Sequence, residues 1–166
     1  MPAAPVLSLV PDRGAGLADV TLDARVWATA SRALLDDLGL PSDARVLVAE
    51  DVLSAGPSLA PAAFDLVHAR FQLCRHGRAA EQLAAFRRLV APGGTLLVVH
   101  HADVDRAQSL AHGFDVEDYV SHEDVAAALG DGWQVELDER RARVVPASGG
   151  GGHHHHDLVL RARRSG

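Results

Sequence analysis

Several features that define whole classes of protein are absent, or nearly absent, from this sequence. It has one cysteine, Cys74, so it cannot form an internal disulfide framework, and we expect it in the reducing cytoplasm. All 16 lysine or arginine positions are arginine, and the formal net charge is −6. Binding to nucleic acid needs a basic face, so we expect no nucleic-acid partner. No apolar run approaches the length of a membrane span and no basic region precedes the first one, so we expect neither a membrane anchor nor a secretory signal.

What is present is the composition of one ordinary globular domain. The chain has 166 residues, of which 48% are hydrophobic and 23% are charged. This length supports one buried core. We therefore expect a single domain over residues 1–166, in which the Gly- and His-rich segment 147–156 is a flexible loop. His-rich tracts can bind metals, but the preceding glycines favour a mobile linker, so we expect no dedicated metal site.

Short apolar runs alternate with segments of helical character along the chain. The runs predict strands at residues 5–10, 25–30, 44–49, 64–70 and 95–100. Helical spacing and capping residues predict helices over residues 17–24, 31–38, 78–90, 104–111 and 123–129. Residues 133–144 and 157–163 predict a terminal antiparallel hairpin. This order predicts an α/β fold with a doubly wound, mostly parallel sheet.

One long segment carries a specific family pattern. From Phe64 the sequence reads FDLVHARFQLCRHGRAAEQLAAFRRLVAPGGTLLVV, which resembles the central segment of class I S-adenosylmethionine-dependent methyltransferases. The resemblance covers a strand, a loop, an amphipathic helix, a Pro-Gly-Gly turn and the next strand, and the terminal hairpin is similar too. It implies a Rossmann-like methyltransferase fold. The upstream stretch ARVLVAEDVLS resembles the family's third strand, which implies that Asp51 takes the position that meets the adenine.

The cofactor loop departs from the family pattern. The family's first strand ends in an acid and a Gly-x-Gly-x-Gly loop, whose backbone amides approach the methionine part of the cofactor. In the aligned stretch VLSLVPDRGAG, Ser8 replaces the acid and Pro11 removes an amide, and the remaining glycines are Gly14 and Gly16. The second strand runs RVWATAS and offers no carboxylate for the ribose. The resemblance therefore implies a methyltransferase fold without the usual means of holding S-adenosylmethionine, and we expect no cofactor.

A second alignment of the same stretch is open. In it, ARVLVAED is the family's first strand and the intervening strands are deleted. This alignment also leaves no glycine-rich loop after the strand. The expected loss of cofactor binding is the same in both.

The ligand crevice of an open α/β sheet lies beyond the carboxyl ends of its strands. The run at 95–100 ends in His100 and is followed by His101, and their imidazoles are candidates for a base or an orienting donor. Arg70 ends the preceding strand and is a candidate clamp for an anion. We take these three as catalytic candidates; a solvated loop and a strand-end ion pair are the alternative interpretations. The substrate-binding candidates at the same edge are Asp12, Glu50, Phe71, Gln72 and Asp103.

Together these features predict a protein that keeps the fold and loses the methylation chemistry. Small-molecule enzymes of the family usually carry helices over the substrate before the first strand, and here the first strand comes almost at once. This predicts a reduced N-terminus and an open cleft, which a second subunit or a second copy would close. We expect a subunit of a heteromeric enzyme in bacterial secondary-metabolite biosynthesis that acts on a small molecule, with ring formation by intramolecular substitution as one such reaction. The alternatives are an active S-adenosylmethionine-dependent methyltransferase and a noncatalytic partner subunit.

Overall fold

The computed structural model describes residues 6–8, 37–41, 44–49, 53, 58–70, 74–142 and 155–166. Its strands are β1 (Val6–Ser8), β2 (Val46–Ala49), β3 (Phe64–Arg70), β4 (Val90–His101), β5 (Trp133–Ala142) and β6 (His156–Arg164). Its helices are α1 (Ala79–Leu89), α2 (Arg106–Ala111) and α3 (His122–Leu129), with short 3-10 turns at His76–Arg78 and Val116–Asp118. No helix in these ranges is long and apolar enough to cross a membrane.

Most of the predicted elements inside the described ranges are confirmed. The strand predicted at 95–100 is longer, because its pairing with β3 begins at Val90 and resumes at Thr95 beyond the Pro-Gly-Gly segment. Gly93 in that segment has a φ of 74°, which glycine adopts without strain. The strand predicted at 25–30, the helix at 17–24 and residues 31–36 of the helix at 31–38 lie outside the described residues, as does most of the loop at 147–156.

The six strands form one sheet in the order β1-β2-β3-β4-β6-β5. β1 to β4 run parallel, β6 is antiparallel to β4, and β5 is antiparallel to β6. The predicted α/β fold, with a mostly parallel sheet and a C-terminal antiparallel hairpin, is therefore confirmed.

The position of β2 in the sheet corrects the first of the two alignments. In a doubly wound sheet of order 3-2-1-4-5-6, the first strand of the fold lies beside the fourth. β2 lies directly beside β3, with Val46 opposite Leu66, so it takes the place of a first strand. The strand predicted at 44–49 is confirmed, but its placement as the family's third strand is wrong. An apolar run predicts a strand and does not predict which strand lies beside it. The role of Asp51 depended on that placement, and Asp51 lies outside the described residues, so its role stays a prediction.

Side chains that alternate along the strands build a core on each face of the sheet. On the face covered by α1 and α3, Leu96 and Val98 join a buried cluster that includes Phe86. On the other face, Leu97 and Val99 join a second buried cluster. All residues from 95 to 100 are buried, which confirms the predicted burial of this strand on both faces.

An ion pair links β3 to the residue that precedes β2. Arg45 donates from Nη2 to Oδ1 of Asp65 over 2.9 Å, and its backbone N–H donates to Oδ2 over 2.8 Å. The amides of Asp65 and Leu66 donate back to the carbonyl oxygen of Arg45. Hydrogen bonds from Arg45 hold the pKa of the Asp65 carboxyl below its usual value. Asp65 therefore helps to align the two strands.

We expect Asp65→Asn to destabilise the protein near neutral pH and to lose that effect on acidification. A carboxyl whose pKa is lowered by folding adds stability above its unfolded pKa, here near 3.8. That stability is lost as the pH falls through the lower folded value. Urea unfolding of the wild type and the variant at about pH 6 and about pH 2.5 measures the difference. Asp131→Asn, at an exposed turn, is the matched control, and an equal effect of Asp65→Asn at both pH values would contradict the prediction.

Candidate functional site

A cavity of about 230 Å³ lies beyond the carboxyl end of β4, between that strand and the segment that leads into α3. This is the edge of the sheet at which the sequence predicts a ligand. Its aliphatic side chains belong to Ala102, Val104, Val116, Val120 and Leu158. Its polar side chains belong to His100, His101, Tyr119, Ser121 and His122.

His100 and His101 lie on opposite faces of the sheet, because successive side chains of a strand alternate. His100 lies on the face that α3 covers, opposite Leu158 of β6, and is 7% exposed. His101 lies on the other face, where its Nδ1 is 3.3 Å from Oδ1 of the buried Asp157. Both predicted histidines line the cavity. They differ in their surroundings, because His100 is buried in the wall and His101 lies beside the carboxylate of Asp157. The alternative of a solvated loop is wrong for His100.

His122 is a third histidine of the cavity, which the sequence reasoning missed. It is the first residue of α3, and Ser121 before it caps the helix. The hydroxyl of Ser121 accepts from the amide of Asp124, whose carboxylate accepts from the amide of Ser121. This capping box determines that the helix begins at His122. The signal was present in the sequence Ser-His-Glu-Asp at 121–124, where the helix was predicted one residue later.

The His122 imidazole lies between two carboxylates, and its side chain is 5% exposed. Its Nε2 is 3.1 Å from Oδ1 of Asp138 on β5. Its Nδ1 is 2.9 Å from Oε2 of Glu123, yet it is buried and makes no hydrogen bond. The distance to Glu123 is short enough for a hydrogen bond, but the direction is wrong, and direction decides.

Asp103 lies outside the cavity wall in a small ion cluster. Its Oδ1 is 2.6 Å from Nη2 of Arg140, and its Oδ2 is 3.0 Å from Nδ1 of His156. Hydrogen bonds from Arg140 and then His156 hold the pKa of Asp103 below its usual value. These contacts join the loop after β4 to the hairpin, and the substrate-binding role of Asp103 stays a prediction. In the described ranges, no group of three or more His, Cys, Asp or Glu side chains is placed to hold a metal ion.

The structure describes only one of the other predicted site residues, Arg70, and only its backbone. Arg70 ends β3 opposite Val99 of β4, so its backbone lies at the predicted edge, and its anion-binding role stays a prediction. The remaining candidates lie outside the described residues; they are Asp12, Gly14, Gly16, Glu50, Asp51, Phe71 and Gln72.

The wall of the cavity around Tyr119 is anchored to the segment that follows β3. The backbone of Tyr119 forms a bridge with Arg75, whose guanidinium carbon lies 5.7 Å from the centre of the tyrosine ring. The amide of Val120 donates to the carbonyl oxygen of Cys74 over 2.9 Å. Burial raises the pKa of the Cys74 thiol, which disfavours the reactive thiolate, so Cys74 serves packing here.

No protein-family model matches this sequence, and a search among curated proteins found no match. Solved structures do match. The 1,6-didemethyltoxoflavin-N1-methyltransferase of Burkholderia thailandensis aligns with a TM-score of 0.52 and 16% identity, over 90% of this chain and 82% of that one. The 16S rRNA (adenine(1408)-N(1))-methyltransferase of Catenulisporales acidiphilia aligns with a TM-score of 0.45 and 16% identity, over 90% of this chain and 92% of that one. A structure concerned with the conversion of a disulfide bond into a thioacetal group during echinomycin biosynthesis aligns with a TM-score of 0.46 and 20% identity, and this chain spans 61% of its length while 82% of this chain is covered.

The alignment with the Burkholderia enzyme decides the fold. This chain has the class I methyltransferase fold. The fold implied by the sequence resemblance is therefore confirmed. At these identities the likeness concerns the fold alone.

In the methyltransferase fold the cofactor binds beyond the first and second strands, where this sequence departs from the family pattern. β2 stands in the place of the first strand and is followed by Glu50-Asp51-Val52, without a glycine before Gly56. Acids are present, but the glycines that let backbone amides approach the cofactor are not. β1, in the place of the second strand, ends at Ser8 without an acid for the ribose hydroxyls. Residues 9–12 and 50–52 lie outside the described ranges, so the expected loss of cofactor binding stays a prediction.

Proposed function

We propose that this chain is a methyltransferase-fold protein that does not methylate and that acts as a subunit of a heteromeric enzyme in bacterial secondary-metabolite biosynthesis. The observation that carries the proposal is a contrast along one edge of the sheet. The sequence after β2 has no glycine before Gly56, whereas residues at and beyond the end of β4 line a cavity with three histidines. The half of the cleft that would receive a substrate thus has polar side chains suited to binding, whereas the half that would receive the cofactor lacks the usual glycine pattern.

The substrate of the proposed enzyme is a small, mostly apolar molecule or the apolar part of a larger one. A volume of about 230 Å³ is below the range of roughly 300–1,000 Å³ that is usual for drug-sized ligands. The Burkholderia methyltransferase of the same fold is bound to the small molecule 1,6-didemethyltoxoflavin, which supports a substrate of this size class.

The proposed reaction is ring formation by intramolecular substitution. A nucleophilic oxygen, nitrogen or sulfur of the substrate attacks a carbon of the same molecule, and the new bond forms as the leaving group departs with its electron pair. A cavity histidine takes the proton of the nucleophile. Holding the two ends of the substrate together supplies most of the acceleration, because the attack becomes unimolecular, and proton transfer typically adds about 10²- to 10⁴-fold.

Co-expression with the products of neighbouring genes tests this proposal. We expect the chain to co-purify with a second subunit and the complex to convert a small molecule. His100→Ala in the complex is expected to lower the rate by about 10²- to 10⁴-fold, while His112→Ala, at an exposed turn, is the matched control and should leave it unchanged. Conversion of the substrate by this chain alone, as a monomer, would contradict the proposal of a partner subunit. A fully active His100→Ala complex would place the chemistry on the other subunit and favour the noncatalytic alternative.

An active methyltransferase is the second candidate, and the fold itself favours it. The Burkholderia neighbour is a methyltransferase with bound S-adenosylhomocysteine. The two candidates differ in whether this chain binds the cofactor. Titration of the chain with S-adenosylmethionine distinguishes them by the dissociation constant.

A further inference from the structure

The buried carboxylate of Asp157 meets His101 across the pairing of β4 with β6. The two residues lie directly opposite each other in the antiparallel register, so their side chains lie on the same face of the sheet. Nδ1 of His101 is hydrogen-bonded to Oδ1 of Asp157 over 3.3 Å. The side chain of Asp157 is 5% exposed and that of His101 is 25% exposed. The imidazole therefore lies between a buried carboxylate and an accessible space.

The carboxylate determines which nitrogen of the neutral imidazole carries the proton. An ionised carboxylate only accepts hydrogen bonds, so the bond to Asp157 places the proton on Nδ1 and the lone pair on Nε2. Among the described residues, His101 lines the cavity and Asp157 does not. The accessible part of the ring is therefore the part that points away from Asp157, and Nε2 belongs to that part.

His101 is also the histidine of the cavity that a ligand reaches most easily. His100 and His122 are both buried, whereas a quarter of the His101 side chain is accessible. The hydroxyl of Ser121, another polar group of the wall, is hydrogen-bonded to Asp124 at the start of α3. Of the three histidines, His101 is therefore the one best placed to bind a polar group of a ligand.

We propose that His101 binds the ligand of the cavity through Nε2, as a hydrogen-bond acceptor, and that Asp157 is its positioning residue. This rests on the proposed function, in which the cavity binds a small molecule. The ligand class is a molecule with an apolar body and a hydroxyl or N–H group, because Val116 and Val120 add apolar surface to the wall and Nε2 accepts a hydrogen bond. The imidazole stays neutral, and a ligand whose polar groups only accept hydrogen bonds gains none from it.

¹⁵N NMR of the full chain tests the tautomer directly, because the protonated and the unprotonated nitrogen of a neutral imidazole differ widely in chemical shift. At a pH where the ring is neutral, we expect His101 to carry its proton on Nδ1, and its signals are those missing from the His101→Phe variant. Asp157→Asn keeps the shape of the side chain but offers Nδ1 both an acceptor and a donor, so it is expected to give a mixture of the two tautomers. A proton on Nε2 of the wild-type ring would overturn the proposal.

Titration with phenol and with anisole, followed by NMR, tests the ligand class. Both probes carry the same ring, but the hydroxyl of phenol donates a hydrogen bond and the ether of anisole does not. We expect His101→Phe to lower the preference for phenol over anisole by about 2- to 13-fold, as for one lost hydrogen bond. Asp157→Asn is expected to lower it by a smaller factor. Asp131→Asn, at an exposed turn, is the matched control and should keep the wild-type preference.

A purely structural role of the pair would lower the melting temperature of Asp157→Asn and leave both the tautomer and the probe preference as in the wild type, which would overturn the proposal. The wild-type spectrum and the His101→Phe titration decide the question even where Asp157→Asn does not fold. An unchanged preference in His101→Phe, or no binding of either probe to the wild type, would overturn the assigned ligand class. Failure of the proposed function appears elsewhere, as a His100→Ala complex with full activity, and leaves the tautomer and the probe preference as they were.

Discussion

S-adenosylmethionine is expected to bind this chain about 10²- to 10⁶-fold more weakly than it binds a class I methyltransferase with an intact glycine-rich loop. Each hydrogen bond to a charged group contributes roughly 1.5–3 kcal/mol. The sequence after β2 has no glycine before Gly56 to let backbone amides reach the methionine part, and β1 ends at Ser8 without an acid for the ribose. Losing two or three such contacts gives the stated range.

Isothermal titration calorimetry with S-adenosylmethionine and with S-adenosylhomocysteine measures this loss. The 1,6-didemethyltoxoflavin-N1-methyltransferase of Burkholderia thailandensis shares the fold and is bound to S-adenosylhomocysteine, so it is the positive control. A dissociation constant in the micromolar range or below for this chain would establish cofactor binding. The active methyltransferase would then replace the non-methylating subunit as the better proposal.

Phe86→Ala is expected to destabilise the protein by about 3–5 kcal/mol. Phe86 lies on α1 and is 2% exposed, in the buried cluster that joins this helix to the sheet. Its removal loses the burial of an aromatic ring and leaves a cavity that neighbouring side chains fill only in part. Domains of this kind are stable by about 5–15 kcal/mol in total, so the variant would be close to unfolding.

Urea unfolding followed by circular dichroism measures the effect of Phe86→Ala. Leu110→Ala is the matched control, because Leu110 is a large apolar side chain on α2 that is 52% exposed. Its removal is expected to change stability by less than about 0.5 kcal/mol. A loss of less than about 1 kcal/mol in Phe86→Ala would mean that α1 does not pack as described.

The elements were the part of the fold that local pattern could predict. Apolar runs and helical spacing act over a few residues, and β3, α1 and the terminal hairpin lie close to their predicted bounds. Strand neighbours were not predictable in the same way. Nothing within the run at 44–49 states that Val46 pairs with Leu66, so the first alignment placed this strand at the wrong position.

The candidate site was predictable in location and not in composition. The rule that ligands bind beyond the carboxyl ends of parallel strands led to His100 and His101, which line the cavity. It could not separate the two, since their difference depends on which face each side chain takes and on the partner strand that brings Asp157 to His101. His122 was missed because its place in the cavity wall depends on how α3 packs beside the end of β4, and that packing is not local in the sequence.

The sequence by itself determined that this protein has a methyltransferase-type α/β pattern and lacks the full Gly-x-Gly-x-Gly pattern of a cofactor loop, because both are properties of residues near one another in the chain. Only the tertiary structure decided the place of β2 beside β3, the separation of His100 from His101 and the meeting of His122 with Asp138. These depend on contacts between residues far apart in the sequence. Such contacts form because burying both faces of the sheet orders distant segments together, and no local pattern encodes which segments will meet.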